Sequence, residues 1–455
     1  MTFRPRFRAL CLSLAAWGLL GACPSLRAAV SLLNGPTTLV YPSFWHTPFG
    51  IHRGTPALLK LFLGDQTRFD DPQGLACAHL WQSGPEDDQV TVIGVNSGAS
   101  CLVYNPSMEG LAVYGRPGAG AGCFNHPVGV AMLPNGRVAV ADAGNNRVAL
   151  LLLRQDGLEW QRALGGPGSA DGQFEDPSGV AFDSQGRLFV ADTGNNRVQV
   201  FSPSGDFLYS FGSEPGQGSS LQAPTAIAVT DPRNPYTCCG ESALFVVDDY
   251  HTRLQKFSPQ GDLLAEAEGA DLGRLLVYFN SLALDYFNNV WVTDSSNDQV
   301  HKFTRQLVYL DSYGSPGKGD GQFDSPRGIA INRHYGQVFV VEADSSQYFW
   351  IGADLKNLAL SRQAQSDGTG LLRIDFTLTE RAKVEADILD DQGGLVFPVF
   401  RGQMEEGEQS LYWDGRDQKG ALASPGAYRI SIRVEATYSS AGYFAKRVTK
   451  RFYIK

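Results

Sequence analysis

Short runs of apolar or alternating residues, separated by turn residues, set the pattern between residues 172 and 212. Four such runs occur there: Gly179–Phe182, Arg187–Ala191, Val198–Ser202 and Phe207–Phe211. Runs of this kind predict β-strands, and the Gly-, Asn- and Ser-containing gaps between them predict tight turns. The four strands would form one antiparallel meander, which cannot bury both of its faces alone. We therefore expect further copies along the chain.

The same unit recurs with a period typical of propellers and solenoids. A proline precedes the first strand of most units, at Pro72, Pro127, Pro177, Pro224 and Pro326, and Asn280–Ala283 takes this place in the fifth unit. An acidic residue ends the second strand, at Asp142, Asp192, Asp248, Asp294 and Glu342, and Asn96 is the nearest equivalent in a degenerate first unit. These two series define six units.

Two sequence motifs of the units identify a family resemblance. The turns Asp142–Arg147 and Asp192–Arg197 share the pattern Asp-x-Gly-Asn-Asn-Arg, and the links Gly172–Pro177 and Gly321–Pro326 share Gly-Gln-Phe-x-x-Pro. Over residues 57–352 the chain resembles NHL-repeat proteins, a family of six-bladed β-propellers. The resemblance implies an all-β fold, a six-bladed β-propeller with four-stranded blades.

The ends of the predicted propeller suggest how its ring closes. Residues 58–64 match the fourth strand at Phe207–Gly212 but precede the first unit, whereas the last unit has no fourth strand after Tyr348–Ile351. We expect this N-terminal strand to complete the last blade, which would remove an exposed sheet edge.

A second domain follows the propeller. Residues 353–370 are polar and predict a linker, and from Leu371 apolar residues alternate with polar ones as in a small antiparallel β-sandwich over residues 371–455. The run Trp413–Gly420, followed by Ser424–Tyr428, resembles the FlgD-type immunoglobulin-like domain. That resemblance implies a structural or tethering module.

The N-terminus predicts export from a bacterial cell. Residues 1–22 combine Arg4, Arg6 and Arg8 with an apolar run that is too short to span a membrane, as in a signal peptide. Leu20–Cys23 resembles a lipobox, in which Cys23 would carry a lipid; ordinary cleavage nearby is the alternative. Residues 23–56 would be an extended lead-in. The mature protein is expected in the periplasm, at the outer membrane if lipidated, or outside the cell, with the lipid anchor or the removed signal as its only membrane contact.

Charge and cysteine content narrow the choice of partners. The net charge of −9 argues against nucleic acid. After Cys23, five cysteines follow, at Cys77, Cys101, Cys123, Cys238 and Cys239, and their pairing is open. Their spacing gives no zinc motif, and we expect neither a metal nor a cofactor.

Candidate site residues fall into two groups. The repeated turn residues are expected to hold the fold together, because a role shared by nearly every blade is a property of the fold; they are Asp142, Arg147, Asp192, Arg197, Asp248, Arg253, Asp294 and Glu342. The candidates for a binding face are residues that depart from the repeat: His126, Tyr250, His251 and His301.

The function expected from these features is binding of a protein, peptide or glycan on the loop face of the propeller. The alternative is a lyase or hydrolase at the channel mouth. Some NHL-like propellers are lyases that hold zinc through histidines at the start of their blades, and His126 occupies such a position. The corresponding positions in later units are occupied by Ala223 and by Phe279 or Asn280, which are not ligands of that type. The sequence also lacks a nucleophile elbow, an HExxH motif and a P-loop.

Overall fold

The computed structural model describes residues 31–33, 38–41, 52–80, 90–105, 110–213, 220–364 and 370–454. Residues 1–22, which were predicted to be a signal peptide, and Cys23 lie outside these residues. The described chain is built almost entirely of β-strands and confirms the all-β prediction. No helix in these ranges is long and apolar enough to cross a membrane.

The N-terminal part contributes three short strands and one helix. They are β1 (Ser31–Leu33), β2 (Leu39–Val40), β3 (Arg53–Gly54) and α1 (Pro56–Leu63).

Six sheets follow, and we call them blades 1 to 6. Blade 1 contains β4 (Pro72–Ala78), β5 (Thr91–Asn96), β6 (Cys101–Tyr104) and β7 (Ala112–Tyr114); blade 2 contains β8 (Pro127–Met132), β9 (Arg137–Asp142), β10 (Arg147–Arg154) and β11 (Gly157–Leu164); blade 3 contains β12 (Pro177–Phe182), β13 (Leu188–Asp192), β14 (Arg197–Phe201) and β15 (Phe207–Phe211). Blade 4 contains β16 (Ala226–Thr230), β17 (Ala243–Asp248), β18 (Arg253–Phe257) and β19 (Leu263–Glu268); blade 5 contains β20 (Phe279–Leu284), β21 (Val290–Asp294), β22 (Gln299–Phe303) and β23 (Tyr309–Tyr313); blade 6 contains β24 (Ile329–Asn332), β25 (Gln337–Val341) and β26 (Ser346–Ile351). Short 3-10 helices occupy Ala143–Asn145, Thr193–Asn195 and Gly269–Leu272.

The first strands of the blades surround a central channel. Each first strand contacts that of the next blade, and β24 of blade 6 contacts β4 of blade 1. Apolar side chains fill the junctions from blades 1 and 2 round to blades 5 and 6. A link residue reaches into several of these junctions, and Phe124, Phe174 and Phe323 are completely buried there. The architecture is that of a β-propeller.

An N-terminal strand does pair with the last blade, but not the one that the sequence suggested. Strand β2 pairs with β26 through Leu39 and Ile351, and β3 pairs with the same strand further along. Residues 58–64 were expected to form this strand, and that prediction is wrong, because Pro56–Leu63 is a helix. The Thr55 hydroxyl accepts a hydrogen bond from Leu58 N, and proline is favoured in the first helical turn. Leu59 and Leu63, four residues apart, form the buried face of the helix.

The C-terminal domain is a two-sheet sandwich. Its strands are β27 (Leu355–Ala364), β28 (Gly370–Leu378), β29 (Ala382–Asp390), β30 (Leu395–Met404), β31 (Gly407–Trp413), β32 (Gly426–Ala436) and β33 (Phe444–Ile454). One sheet has the order β1-β33-β32-β29-β30 and the other β27-β28-β31, with an apolar core that includes Ile374, Val384 and Ile432.

The predicted linker 353–370 is wrong over most of its length, because residues 355–364 form strand β27. A register irregularity between Lys356 and Ala359 interrupts the two-residue alternation by which a strand is recognised.

The two domains pack against each other through blades 5 and 6. Lys302 of blade 5 lies 2.7 Å from Glu380 of the sandwich and 3.5 Å from Asp285, and all three side chains are completely buried. Tyr438 of the sandwich packs between Tyr286 and Phe287 and donates a hydrogen bond to the carbonyl of Arg333. Breaking the contact between Lys302 and Glu380 would leave buried charges without a partner.

Candidate functional site

One end of the propeller carries the links that precede each blade and the turns between second and third strands; we call it the loop face. The repeated acidic residue fastens these two segments together. In blade 2, Asp142 accepts hydrogen bonds from Asn125 N at 2.7 Å and from Arg147 Nε at 2.7 Å. In blade 3, Asp192 accepts from Glu175 N at 2.8 Å and Arg197 Nε at 2.8 Å. Both carboxylates are completely buried.

The other blades vary this arrangement. Asp248 accepts from Gln222 N and pairs with Arg253 at 2.8 Å; burial raises the pKa of Asp248, although Arg253 opposes the rise. The pKa of Asp294 lies below its usual value. Burial acts to raise it, but hydrogen bonds, first among them that from His301, outweigh burial. Glu342 of blade 6 accepts from Ser345 and Gln347. Hydrogen bonds that join a link to a turn through a buried carboxylate are those expected of residues with a structural role.

The channel wall is built from two or three residues of each blade. At the first of these positions the side chains differ in every blade: Gln73, Val128, Ser178, Thr225, Asn280 and Arg327. The next position is glycine in four blades because the strands come so close: a Cβ on Gly129 would lie 2.2 Å from the Ser178 carbonyl oxygen. The channel has a volume of about 80 Å³, too little for more than a few water molecules. A larger ligand would therefore not fit in the channel.

At the channel mouth, a polar group joins blades 6, 1 and 2. Arg327 Nη1 lies 2.7 Å from Asp71 Oδ1, and Gln73 Nε2 donates to the same oxygen at 2.9 Å. His126 Nε2 lies 3.8 Å from Asp71 Oδ2, beyond hydrogen-bond distance, and its side chain is 60% exposed. His126 is thus at the loop face, where the sequence suggested it.

A second departure from the repeat lies between blades 4 and 5. The His251 ring stacks on that of Tyr278 with centroids 4.1 Å apart, and its Nδ1 donates to the Phe279 carbonyl at 2.6 Å. Burial lowers the pKa of His251, although the carbonyl opposes this. The imidazole is therefore neutral at pH 7, and the stack joins the blade 4 turn to the link before blade 5.

Large apolar side chains surround this stack. Tyr250 is 69% exposed, and in the link Leu276 is 70% exposed and Leu275 is fully exposed. We call Tyr250, His251, Leu275, Leu276 and Tyr278 the blade 4–5 patch. Tyr250 and His251 were candidates from the sequence. The other three were missed, although a signal existed, since this link lacks the Gly-Gln-Phe pattern of the links before blades 3 and 6.

His301 is not part of any binding face, and that prediction is wrong. It is completely buried within blade 5, where Nε2 lies 3.0 Å from Asp294 Oδ2 and Nδ1 lies 2.7 Å from Ser312 Oγ. Its position pairs with Val292, as Gln199 pairs with Val190 in blade 3. His301 therefore takes the place in blade 5 that Gln199 has in blade 3, where the glutamine binds the equivalent carboxylate, that of Asp192.

The remaining candidates for site chemistry are metal-ligating side chains and the cysteine thiols. Within the described ranges, no group of three or more His, Cys, Asp or Glu side chains could hold a metal ion. The described cysteines Cys77, Cys101, Cys123, Cys238 and Cys239 are free thiols. Burial raises the pKa of Cys77 to about 12, which keeps this thiol protonated and unreactive.

Comparison with family models agrees with both resemblances. The NHL repeat model matches residues 124–149 and 174–201, and the FlgD Ig-like domain model matches residues 361–440. The chain carries NHL repeats and a FlgD Ig-like domain. The second match begins within strand β27. No curated protein matches the sequence.

Solved β-propeller structures resemble the fold. A streptogramin B lyase structure is 14% identical, covers 68% of this chain and 91% of its own, and has a TM-score of 0.41. The gluconolactonase XC5397 from Xanthomonas campestris is 13% identical, with coverage of 70% and 98% and a TM-score of 0.44. The Cps50 (Swd1) β-propeller domain of Myceliophteria thermophila is 11% identical, with coverage of 62% and 83% and a TM-score of 0.40. The lyase and gluconolactonase activities are those of the first two proteins.

Proposed function

We propose that this NHL propeller is a binding module that holds a protein or peptide partner on the blade 4–5 patch. The observation that carries the proposal is the exposure of Tyr250, Leu275, Leu276 and Tyr278 around one stack. Exposed aromatic and aliphatic residues grouped on one surface are typical of protein interaction sites. The patch also lies where blade 4 departs from the repeat, so the general needs of the fold do not account for it.

A protein or peptide fits this patch better than a glycan. Leu275 and Leu276 are aliphatic and offer no hydrogen bonds to a hydroxyl-rich ligand. An apolar side chain of a partner would gain by removing both leucines from water. The stack of His251 on Tyr278 holds these two rings in place before binding, which reduces the entropy lost when a partner covers them.

Export and tethering complete the proposal. The N-terminal segment would direct the chain out of a bacterial cytoplasm, with Cys23 as a possible lipid site, and the FlgD Ig-like domain would serve as a tether or second contact surface. The buried pair of Lys302 and Glu380 supports a fixed arrangement of propeller and sandwich.

Site-directed crosslinking tests this function. A photoreactive benzoylphenylalanine placed at Leu276 should capture a partner in cells that produce the protein. The same group at Leu264, a 53% exposed residue on the outer strand of blade 4, is the matched control and should not capture it. The purified partner should then bind L275S/L276S at least tenfold more weakly than wild type, and L264S equally well. Equal affinity for all three proteins would refute the proposal.

A lyase or hydrolase at the channel mouth is the second candidate. It is favoured only by the polar group of Arg327, Asp71 and His126. Turnover of lactone or cyclic peptide substrates that is lost in both D71N and H126A would support it. Turnover that survives both substitutions would exclude this group as the active site.

A further inference from the structure

The junction where blade 6 meets blade 1 differs from the other five. Among the described residues, apolar clusters fill the junctions from blade 1–2 round to blade 5–6. Between blades 6 and 1 the structure instead has a cavity of about 380 Å³, which we call the closure pocket. This volume lies in the range of small-molecule sites.

A missing valine is the first cause of the closure pocket. Gly94 in β5 lines it and pairs with Leu75. Gly94 lies two residues before Asn96, the blade 1 equivalent of the repeated acidic residue. At this position the other five blades all have valine: Val140, Val190, Val246, Val292 and Val340. Each of these valines is completely buried in the junction with the preceding blade. Glycine at position 94 leaves that space empty.

A missing large apolar side chain is the second cause. Asn105 follows β6 and lines the pocket, and its Oδ1 accepts from Val92 N at 2.6 Å. The equivalent residues in the other blades are large and buried: Leu151, Phe201, Phe257, Phe303 and Phe349. The Asn105 amide turns back to its own sheet and leaves the centre of the junction unfilled.

The pocket wall is consequently apolar and only half-buried. Leu75 and Val92 of blade 1 and Phe339 of blade 6 are intermediate in exposure, whereas their counterparts in other blades are buried. Phe69 is the link residue that corresponds to Phe124 and is also half-buried. Helix α1 adds Leu58, Leu59 and Phe62. Apolar surface in a concave site of this size favours an apolar ligand.

The polar groups of the wall decide the charge of that ligand. Arg53 lies 3.7 Å from Glu342 and donates to the carbonyls of Gly319 and Gln322, and His52 lies 2.7 Å from Asp320. The Arg53 guanidinium is thus matched by the Glu342 carboxylate and the Asp320 carboxylate by the His52 ring, so an ionic ligand would find no free counter-charge.

We propose that the closure pocket binds an uncharged apolar molecule of about the size of a medium-length alkyl ketone or ester. Its body would lie against the wall left open by Gly94 and Asn105. This site is separate from the blade 4–5 patch.

Dye displacement tests the proposal with the full chain. Nile red, an uncharged dye with one carbonyl, should bind with increased fluorescence and be displaced by 2-undecanone. Undecanoate, of similar size but charged, should displace the dye at least tenfold less well. Failure of the dye to bind, or stronger displacement by undecanoate, would overturn the proposal.

Filling the pocket is the decisive control. Gly94→Val restores the residue found in the other blades, and its Cβ would lie 3.3 Å from Leu75 Cδ2, at the end of that side chain, and 3.8 Å from the Val103 carbonyl oxygen. It should weaken Nile red binding at least tenfold without lowering Tm, with Gly94→Ala intermediate and Asn105→Leu an independent second variant. L275S/L276S should bind the dye like wild type. Unchanged affinity in folded Gly94→Val and Asn105→Leu would show that the dye binds elsewhere and refute the site.

Discussion

Blades 3 and 4 have the same four strands but use the end of their second strand differently. In blade 3 the turn after Asp192 is closed: Asn196 Oδ1 accepts from Ala223 N at 2.7 Å, and Arg197 is buried against Asp192. In blade 4 the same turn presents Tyr250 to solvent and stacks His251 on the next link. The repeated residues thus hold the blades together, whereas the departure in blade 4 exposes large apolar side chains to solvent.

The largest effect is expected from removing the acidic residue of the regular blade. Asp192→Ala should lower the free energy of unfolding by about 3–5 kcal/mol, because Arg197 would be left buried without its partner. Urea denaturation measures the change. Tyr250→Ala in the irregular blade is the control and should change stability by less than about 0.5 kcal/mol. Similar losses in the two variants would remove the distinction between the blades.

A smaller effect is expected from two glycines that occupy different kinds of position. Gly129→Ala should destabilise the protein by about 1–3 kcal/mol, because its Cβ would lie 2.2 Å from a backbone oxygen of blade 3. Gly94→Ala, at the closure pocket, should be neutral or stabilising. Thermal unfolding of both variants compares them, and equal Tm values would contradict the distinction between a required and a replaceable glycine.

Removing the exposed leucines should leave the fold almost unchanged. L275S/L276S should unfold within about 0.5 kcal/mol of wild type, because neither side chain is buried in the free protein. Circular dichroism during urea unfolding checks this. A larger loss would mean that these leucines support the fold, and reduced partner binding could then no longer be assigned to the patch.

The smallest effect concerns pH. Since burial lowers the folded-state pKa of His251, the unfolded chain binds a proton more readily below about pH 6.5. Stability contributed by neutral His251 is therefore present above this pH and is lost as the pH falls. His251→Phe keeps an aromatic ring against Tyr278, and between pH 7 and 5 it should lose less stability than wild type. Parallel pH dependence in the two proteins would contradict this assignment.

Much of the fold was predictable because the blades are local structures. A run such as Val198–Phe201, bounded by glycine and asparagine turns, specifies its strand from nearest neighbours alone. The same reasoning failed at residues 58–63, since a short apolar run interrupted only by Lys60 fits a strand or a helix and the Thr55 cap decided between them. It failed again at 355–364, where a bulge disrupts the alternation.

The candidate sites were only partly predictable. Tyr250 and His251 could be found because they break a repeat, and Gly94 carried an equally clear signal in the valines of the other blades. The role of His301 could not be found, because burial depends on neighbouring strands that the sequence does not place.

The all-β class, the repeated units and the residues that join them could be derived from the amino-acid sequence, since they depend on periodicity and turn chemistry. The packing of the blades was needed to know which departures from the repeat reach solvent and which leave a cavity between blades. Exposure of Leu276 and the pocket beside Gly94 depend on how neighbouring blades meet, and that packing is a property of the closed ring and not of any single unit.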